Sequence, residues 1–386
     1  MTLLPDAESF KRLVDGTTRG VGPTLARLAL AGLSVPYGLV IGCRNAAYDR
    51  RLLPIGGAGV PVVSVGNLTL GGTGKTPLVA WLARAVAAHG FRPAIVSRGY
   101  AAARGERSDE AAELAIVLPD VPHVANRDRV AGARAAAAAG AEVAVLDDGF
   151  QHRRLARDLD IVAVDATDPF GGGRLFPRGL LREPLSGLAR AGAVVLTRAT
   201  AVDAPRRRDI RQQLAAACGD RLPPIWVEAA HRPVHLRSAT SDTQPLDRMV
   251  GARVAAFAGI GNPAAFRATL ETLGATLVGF RPFPDHHAYT PVDLQALGDW
   301  ANGLRADLVV TTLKDLVKVR ADRLGDRPLF AVEVALELLP DTDAAGLEAA
   351  LATILQPAVL QKKRQPHILP LDRTTGTVGV LGNDPS

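Results

Sequence analysis

Residues 60–90 read VPVVSVGNLTLGGTGKTPLVAWLARAVAAHG, with a lysine and a threonine directly after a glycine cluster. Residue types in this order can hold a polyphosphate. Gly71, Gly72, Thr73 and Gly74 allow a loop whose N–H groups turn inward, Lys75 adds a cation, and the Thr76 hydroxyl suits Mg²⁺. The common pattern is G-x-x-x-x-G-K-[ST], and Thr69 stands where its first glycine would be. Such a loop also needs a carboxylate at the end of a neighbouring apolar strand to organise the cation. Residues 143–148, VAVLDD, provide two, followed by Gly149, Phe150, Gln151 and His152. Vicinal strand residues face opposite ways, so Asp147 and Asp148 are expected to do different work.

Three more clusters carry polar chemistry. Asp109 and Glu110, in ERSDE, follow the second strand and can offer a base to a hydroxyl acceptor. Asp285, His286 and His287, in FPDHHAYT, can bind a metal, tune a carboxylate or simply lie at a surface. Arg178, Arg182 and Glu183 sit in LFPRGLLREP, where the arginines can grip a second phosphate bidentately.

The elements that must hold these groups alternate between strand and helix. Residues 60–65 are short, apolar and β-branched, as a buried parallel strand should be. Leu78, Val79, Leu82, Val86 and Ala87 then follow helical spacing, with Pro77 in the first turn and Gly90 at the C-terminus. Apolar strands recur in RPAIVSRGY, AEVAVLDDGFQH, DIVAVDA and AGAVVLTRA, with an alanine-rich helix over 130–139. A second set begins near Arg253 with RVAAFAGIGNP and continues through ATLVGF, DLVVTTL and LFAVEVAL. The expected fold is α/β with two layered domains, the first a P-loop-type parallel sheet with helices on both faces. The expected division is an apolar N-terminal region, 1–45; a P-loop core, 46–215; a boundary, 216–252; a smaller α/β unit, 253–360; and a loosely ordered tail, 366–386.

At 386 residues the chain exceeds one typical domain, and 47% hydrophobic residues exclude a disordered protein. Cys43 and Cys218 are too few for a disulfide framework and read as thiols in a reducing compartment. A net charge of +6 attracts anionic partners. Arg206–Arg208 and Lys362–Arg364 lack interleaved aromatics and read as solvated surface, so no nucleic acid partner is expected, nor an obligate protein partner. Residues 28–43, LALAGLSVPYGLVIGC, are uncharged between Arg27 and Arg44. That run is shorter than the ~20 residues of a spanning helix and contains Pro36, expected to interrupt it. Acidic residues before it argue against a secretory signal. A buried helix pair or a monotopic surface dipping into the bilayer interface remains.

In their order along the chain, VSVGNLTLGGTGKTP, VSRGY, LDDGFQHRRLARDLDIVAVDA, LFPRGLLREP, AGIGNP, DHHAYT and TTLKDLVK resemble the tetraacyldisaccharide 4′-kinase family. The resemblance implies transfer of the γ-phosphate of ATP, with Mg²⁺, to the 4′-hydroxyl of a tetraacyl glucosamine disaccharide 1-phosphate. It implies a cleft between two α/β domains at the cytoplasmic face of the inner membrane. Lys75 and Thr76 would then serve phosphate and Mg²⁺, with Asp147, Gln151 and Glu183 around the metal. Asp148, His152, Arg178 and Arg182 would face the acceptor, and Asp148 would join the catalytic groups. Asp109 would be the base, assisted by His286, although SDEA stands here where the family has GDEP. A loop with Thr69 in place of the first glycine fits the family. An acylated lipid acceptor favours the monotopic reading of residues 28–43 beside anionic lipid, since extracting each buried CH₂ costs about 0.8 kcal/mol. The alternatives are a P-loop ATPase switch, whose variant loop would carry a lysine where Leu70 stands, and a soluble small-molecule kinase, which has no use for that run.

Overall fold

The structure, a computed structural model, describes residues 7–99, 108–219, 221–340 and 342–364. The expected tail, 366–386, and residues 100–107 of the stretch before Asp109 lie outside them. Two helices come first, α1 (Ala7–Val14) and α2 (Val21–Asp49). The strand before the glycine loop is β1 (Val62–Asn67), and the helix after it is α3 (Lys75–Ala88). The first half continues through β2 (Pro93–Ser97), α4 (Asp109–Val117), β3 (His123–Ala125), α5 (Arg129–Ala138), β4 (Val143–Asp147), β5 (Leu159–Asp165), β6 (Ala193–Thr197) and α6 (Ala204–Ala217). After β7 (Ile225–Arg237) and β8 (Thr243–Gln244), the second half holds β9 (Arg253–Ala258), α7 (Pro263–Thr272), β10 (Thr276–Pro282), α8 (Pro291–Gly303), β11 (Leu308–Thr312) and α9 (Leu313–Val319). It closes with β12 (Arg323–Leu324), β13 (Arg327–Leu338) and α10 (Ala344–Arg364).

The strands form one hydrogen-bonded path, β10-β9-β11-β13-β7-β6-β5-β1-β4-β2-β3. Every residue of β1, β2, β5 and β6 is buried. Helices must therefore cover both faces, which explains why these strands are mostly apolar on both sides instead of alternating. β1 lies between β4 and β5, with Val65 opposite Asp147, so the glycine loop and the paired aspartates leave the sheet side by side.

The two halves meet at a strand. Within 216–252, expected as a boundary, β7 starts parallel to β6 at Ile225 and then runs antiparallel to β13 from Ala229 to Arg237. Its burial alternates irregularly along its 13 residues, which is why the sequence shows so little periodicity there. The junction is fastened by Glu333, buried in β13 and paired with Arg237 (Nε 2.7 Å), while Arg84 of α3 lies 3.7 Å from the same carboxylate.

Pro36 does not interrupt the N-terminal apolar run. It lies inside α2, a single 29-residue helix. A proline removes only its own N–H from the ladder, and the remaining bonds carry the helix through. By length and composition this helix could cross a membrane, and its most apolar 18-residue window, mean hydropathy 1.5, contains no fully buried residue. It is not one half of a buried pair. One face docks on the 174–183 segment: the Tyr37 hydroxyl donates to the Arg182 carbonyl (2.7 Å), and the Asn45 amide donates to Glu183 (3.1 Å). Val21, Leu25, Leu28, Leu33, Val35, Leu39 and Val40 remain exposed.

Candidate active site

β1 ends in Asn67, fully buried, whose amide donates to the Thr69 carbonyl at 2.6 Å. The next residues pair with the 180–182 segment: Leu70 N–H donates to the Leu180 carbonyl (2.7 Å) and Arg182 N–H to the Leu68 carbonyl (2.8 Å). Thr69 is thus a bridge residue with its side chain buried against Gly171, where a Cβ would come within 2.9 Å of the Thr69 methyl. This accounts for the missing first glycine, because Thr69 occupies extended backbone that needs a packed side chain. The true turn falls at Gly71 (φ 110°) and Gly74 (φ 76°), both left-handed. Gly74 caps α3, so Lys75 and Thr76 open the helix at the positive end of its dipole.

The loop is also braced from below. The Thr197 hydroxyl donates to the Thr73 carbonyl (2.8 Å), and Arg198, held by Asp165, donates to the Gly72 carbonyl (3.0 Å). His231 of β7 packs under Gly74, where an added Cβ would lie 2.5 Å from its ring. Burial, reinforced by the Arg198 cation, pushes His231 down to about 4, so the brace is a neutral ring.

The two aspartates differ as their spacing predicts. Burial pushes Asp147, the last residue of β4, up to about 6, opposed by Lys75 and reinforced by Asp148. Asp148 adopts a left-handed conformation (φ 55°) that turns its carboxylate toward two cations. Lys75 Nζ lies 3.3 Å from it and Arg182 Nη1 donates to both oxygens at 2.8 Å. Burial would raise Asp148, but these cations prevail and hold it at about 2. Lys75 also donates to Asn67 Oδ1 at 3.1 Å.

Gln151 and Glu183 lie beneath this layer. Glu183 is fully buried, and its carboxylate accepts from Gln151 (2.9 Å), Asn45 (3.1 Å) and Arg190 (2.8 Å). Gln151 also donates to the Asn67 carbonyl (2.9 Å). Both groups, expected beside the metal, are hydrogen-bonded to each other and to the strand end, and Arg190 pairs the buried carboxylate as burial of a charge requires. Arg178, expected to face the acceptor, donates from its guanidinium to the Val14 carbonyl (2.9 Å) at the end of α1. His152 stays neutral, pushed down to about 4 by burial and by Arg129.

Asp109 opens α4, with Ser108 as its N-cap. Its Oδ2 lies 3.1 Å from His286 Nδ1 and 3.4 Å from Lys318 Nζ, both from the second half. The adjacent imidazoles separate in role. His286 (φ 60°) reaches the Asp109 carboxylate, whereas His287 packs against Phe283 and Tyr289 and contacts Asp293 at 3.2 Å. Neither forms part of a metal cluster among the described residues. Composition and spacing did not signal Asn67, Arg129, His231 or Glu113. Arg129 is buried and donates to the Asp147 carbonyl (3.2 Å), and its one sequence signal is a cation just inside a helix capped by Asp128.

A glycine loop with its lysine on a strand-end carboxylate, in a parallel sheet, defines a P-loop phosphotransferase fold with an acidic residue and a histidine brought in from two halves. A family model described as tetraacyldisaccharide-1-P 4′-kinase matches residues 26–356. The chain belongs to that family, and it is a kinase of lipid A biosynthesis. It is 44% identical over 356 residues to the tetraacyldisaccharide 4′-kinase of Anaeromyxobacter sp. (strain K), covering 86% of this chain and 93% of the relative. It is 38% identical to that of Geobacter sulfurreducens, covering 90% and 98%. The crystal structure of LpxK from Aquifex aeolicus in complex with ATP superposes with a TM-score of 0.67 at 31% identity, over 85% of this chain and 99% of that one.

Proposed function

We propose that the site transfers the γ-phosphate of ATP to the 4′-hydroxyl of a tetraacyl disaccharide 1-phosphate held at the cytoplasmic face of a membrane. The observation that carries it is the meeting of Lys75, Asp148 and Arg182 at the ends of β1 and β4, beside the loop of a family of such kinases. Lys75, now held by Asp148 and Asn67, is the group for the β- and γ-phosphates. Thr76 and Asp147 suit Mg²⁺: both offer hard oxygens, and the Asp147 carboxyl, unfavourable as a buried anion, gains from a neighbouring dication. Mg²⁺ supplies neutralisation of phosphate charge as the bond to the leaving oxygen breaks. Gln151 and Glu183 hold the strand end beneath it. Arg182 and His152 serve the acceptor, and Asp109 takes the proton of its 4′-hydroxyl as the new P–O bond forms and ADP departs.

The exposed face of α2 suits an anionic bilayer surface, since the same helix touches Arg182 and Glu183 with its other face. An acceptor can then reach the site with its acyl chains still in lipid. The test is transfer of labelled γ-phosphate to the tetraacyl disaccharide 1-phosphate in detergent micelles, beside Lys75→Ala. Label on lipid with the unaltered protein alone is expected. ATP hydrolysis that persists without lipid, and no transfer, would favour a switch ATPase.

A further inference from the structure

The motif TTLKDLVK, residues 311–318, has no part in the phosphate site, yet it surrounds the Asp109–His286 pair. Thr312 caps α9 by accepting from Asp315 N–H (3.2 Å), and Leu313, Leu316, Val317 and Val319 bury the opposite side. Lys314 and Lys318, four residues apart, therefore share the face toward α4. Lys314 Nζ lies 2.9 Å from Asp285 Oδ1 and 3.1 Å from His286 Nε2. An ammonium paired with a carboxylate has only donors, so Nε2 must be the acceptor. The ring proton then sits on Nδ1, which donates to Asp109 Oδ2 at 3.1 Å. Lys318, only 11% exposed, sits 3.4 Å from that oxygen and 3.5 Å from Asp315 Oδ1. Asp315, fully buried, accepts from Gly259 N–H (3.0 Å), and the Gly259 carbonyl in turn accepts from His286 N–H (3.2 Å). The same short helix thus sets the backbone of His286, its tautomer and the charge beside its partner.

We propose that Lys314 and Lys318 are positioning residues for phosphoryl transfer. Lys314 locks His286 as the Nδ1–H tautomer, and Lys318 fixes Asp109 through Oδ2, with Oδ1 left for the acceptor hydroxyl. His286 orients the base and carries no proton away: the hydroxyl proton ends on Asp109. The proposal rests on the assignment of Asp109 as base, and two separate readouts distinguish them.

The first readout is the side-chain nitrogen shifts of ¹⁵N-histidine-labelled protein at pH 8, with His286 assigned from His286→Gln. The expected spectrum shows a protonated Nδ1 and a bare Nε2, and Lys314→Met shifts the ring toward Nε2–H. The second readout is kinetic. Lys314→Met and Lys318→Met lower kcat tenfold or more with KM for ATP within twofold, and Lys314→Arg recovers both the tautomer and most of kcat. An Nε2–H ring in the unaltered protein, while Asp109→Asn still abolishes turnover, overturns the role of Lys314 and leaves the base intact. Full turnover in Asp109→Asn with the Nδ1–H ring in place overturns the base assignment instead. Unchanged kcat in both lysine variants overturns the positioning role outright.

Discussion

Single atoms decide how the nucleotide loop is shaped. Gly74 combines a left-handed backbone with a ring packed where its side chain would go. Gly74→Ala costs about 1–2 kcal/mol for the backbone alone, before the His231 imidazole is displaced. The expected result is roughly a tenfold or greater loss of ATP affinity by calorimetry, with cooperative unfolding retained. Unchanged affinity would mean that the loop does not need this conformation. Glu113, one turn after Asp109, makes a pH prediction. Burial pushes its carboxyl up to about 7, against the pull of Lys314, with Glu110, Asp147 and Asp109 adding repulsion. Its folded pKa lies above its unfolded value, so the folded state binds the extra proton between about 4.5 and 7. This group's contribution to stability is therefore present at low pH and lost as pH rises through 7. Glu113→Gln should raise the urea midpoint at pH 8 and change it little at pH 4.5; a gain of equal size at both would remove the titration as its cause.

Helix α2 separates two tasks on two faces. Its polar positions, Tyr37, Arg44 and Asn45, are tied to carbonyl and carboxylate groups of Arg182, Gln151 and Glu183, while Leu25, Leu28, Leu33 and Leu39 face outward. Replacing Leu25, Leu28 and Leu39 by glutamine removes lipid-facing area, each leucine contributing about 1.5–3 kcal/mol if fully buried in the bilayer. Binding to anionic vesicles in a flotation assay should fall by an order of magnitude or more while ATP affinity stays the same. Complete retention on vesicles would count against this face as the membrane contact. Pro36 and the shortness of the uncharged run suggested a broken segment here. The helix persists because one missing N–H leaves the rest of the ladder intact, and because its docked face is held at several points along its length.

Across the whole molecule, the β7–β13 ribbon makes one sheet of two parallel halves, and the buried Arg237–Glu333 pair sits on it. Arg237→Ala leaves a buried carboxylate with only the more distant Arg84, a loss of about 3–5 kcal/mol. Chemical denaturation should show a lower midpoint with both halves unfolding together. Separate transitions would mean that the ribbon does not couple them. The sequence by itself determined the strand-loop-helix at Lys75, the partner carboxylates at 147–148 and the α/β class, because each is written in local spacing and apolar period. It also named Asp109 and His286, through motif order instead of local pattern. Only the tertiary structure decided that Thr69 is a bridge residue, that Glu183 is spent on Arg190, that Arg178 turns to α1, and that His231 braces the loop. Arg190 lies only seven residues from Glu183, but the other three depend on which distant segment supplies a partner, at a separation of 164 residues in the case of Arg178 and Val14. Charge pairing and burial are settled by that meeting, and no local pattern records it.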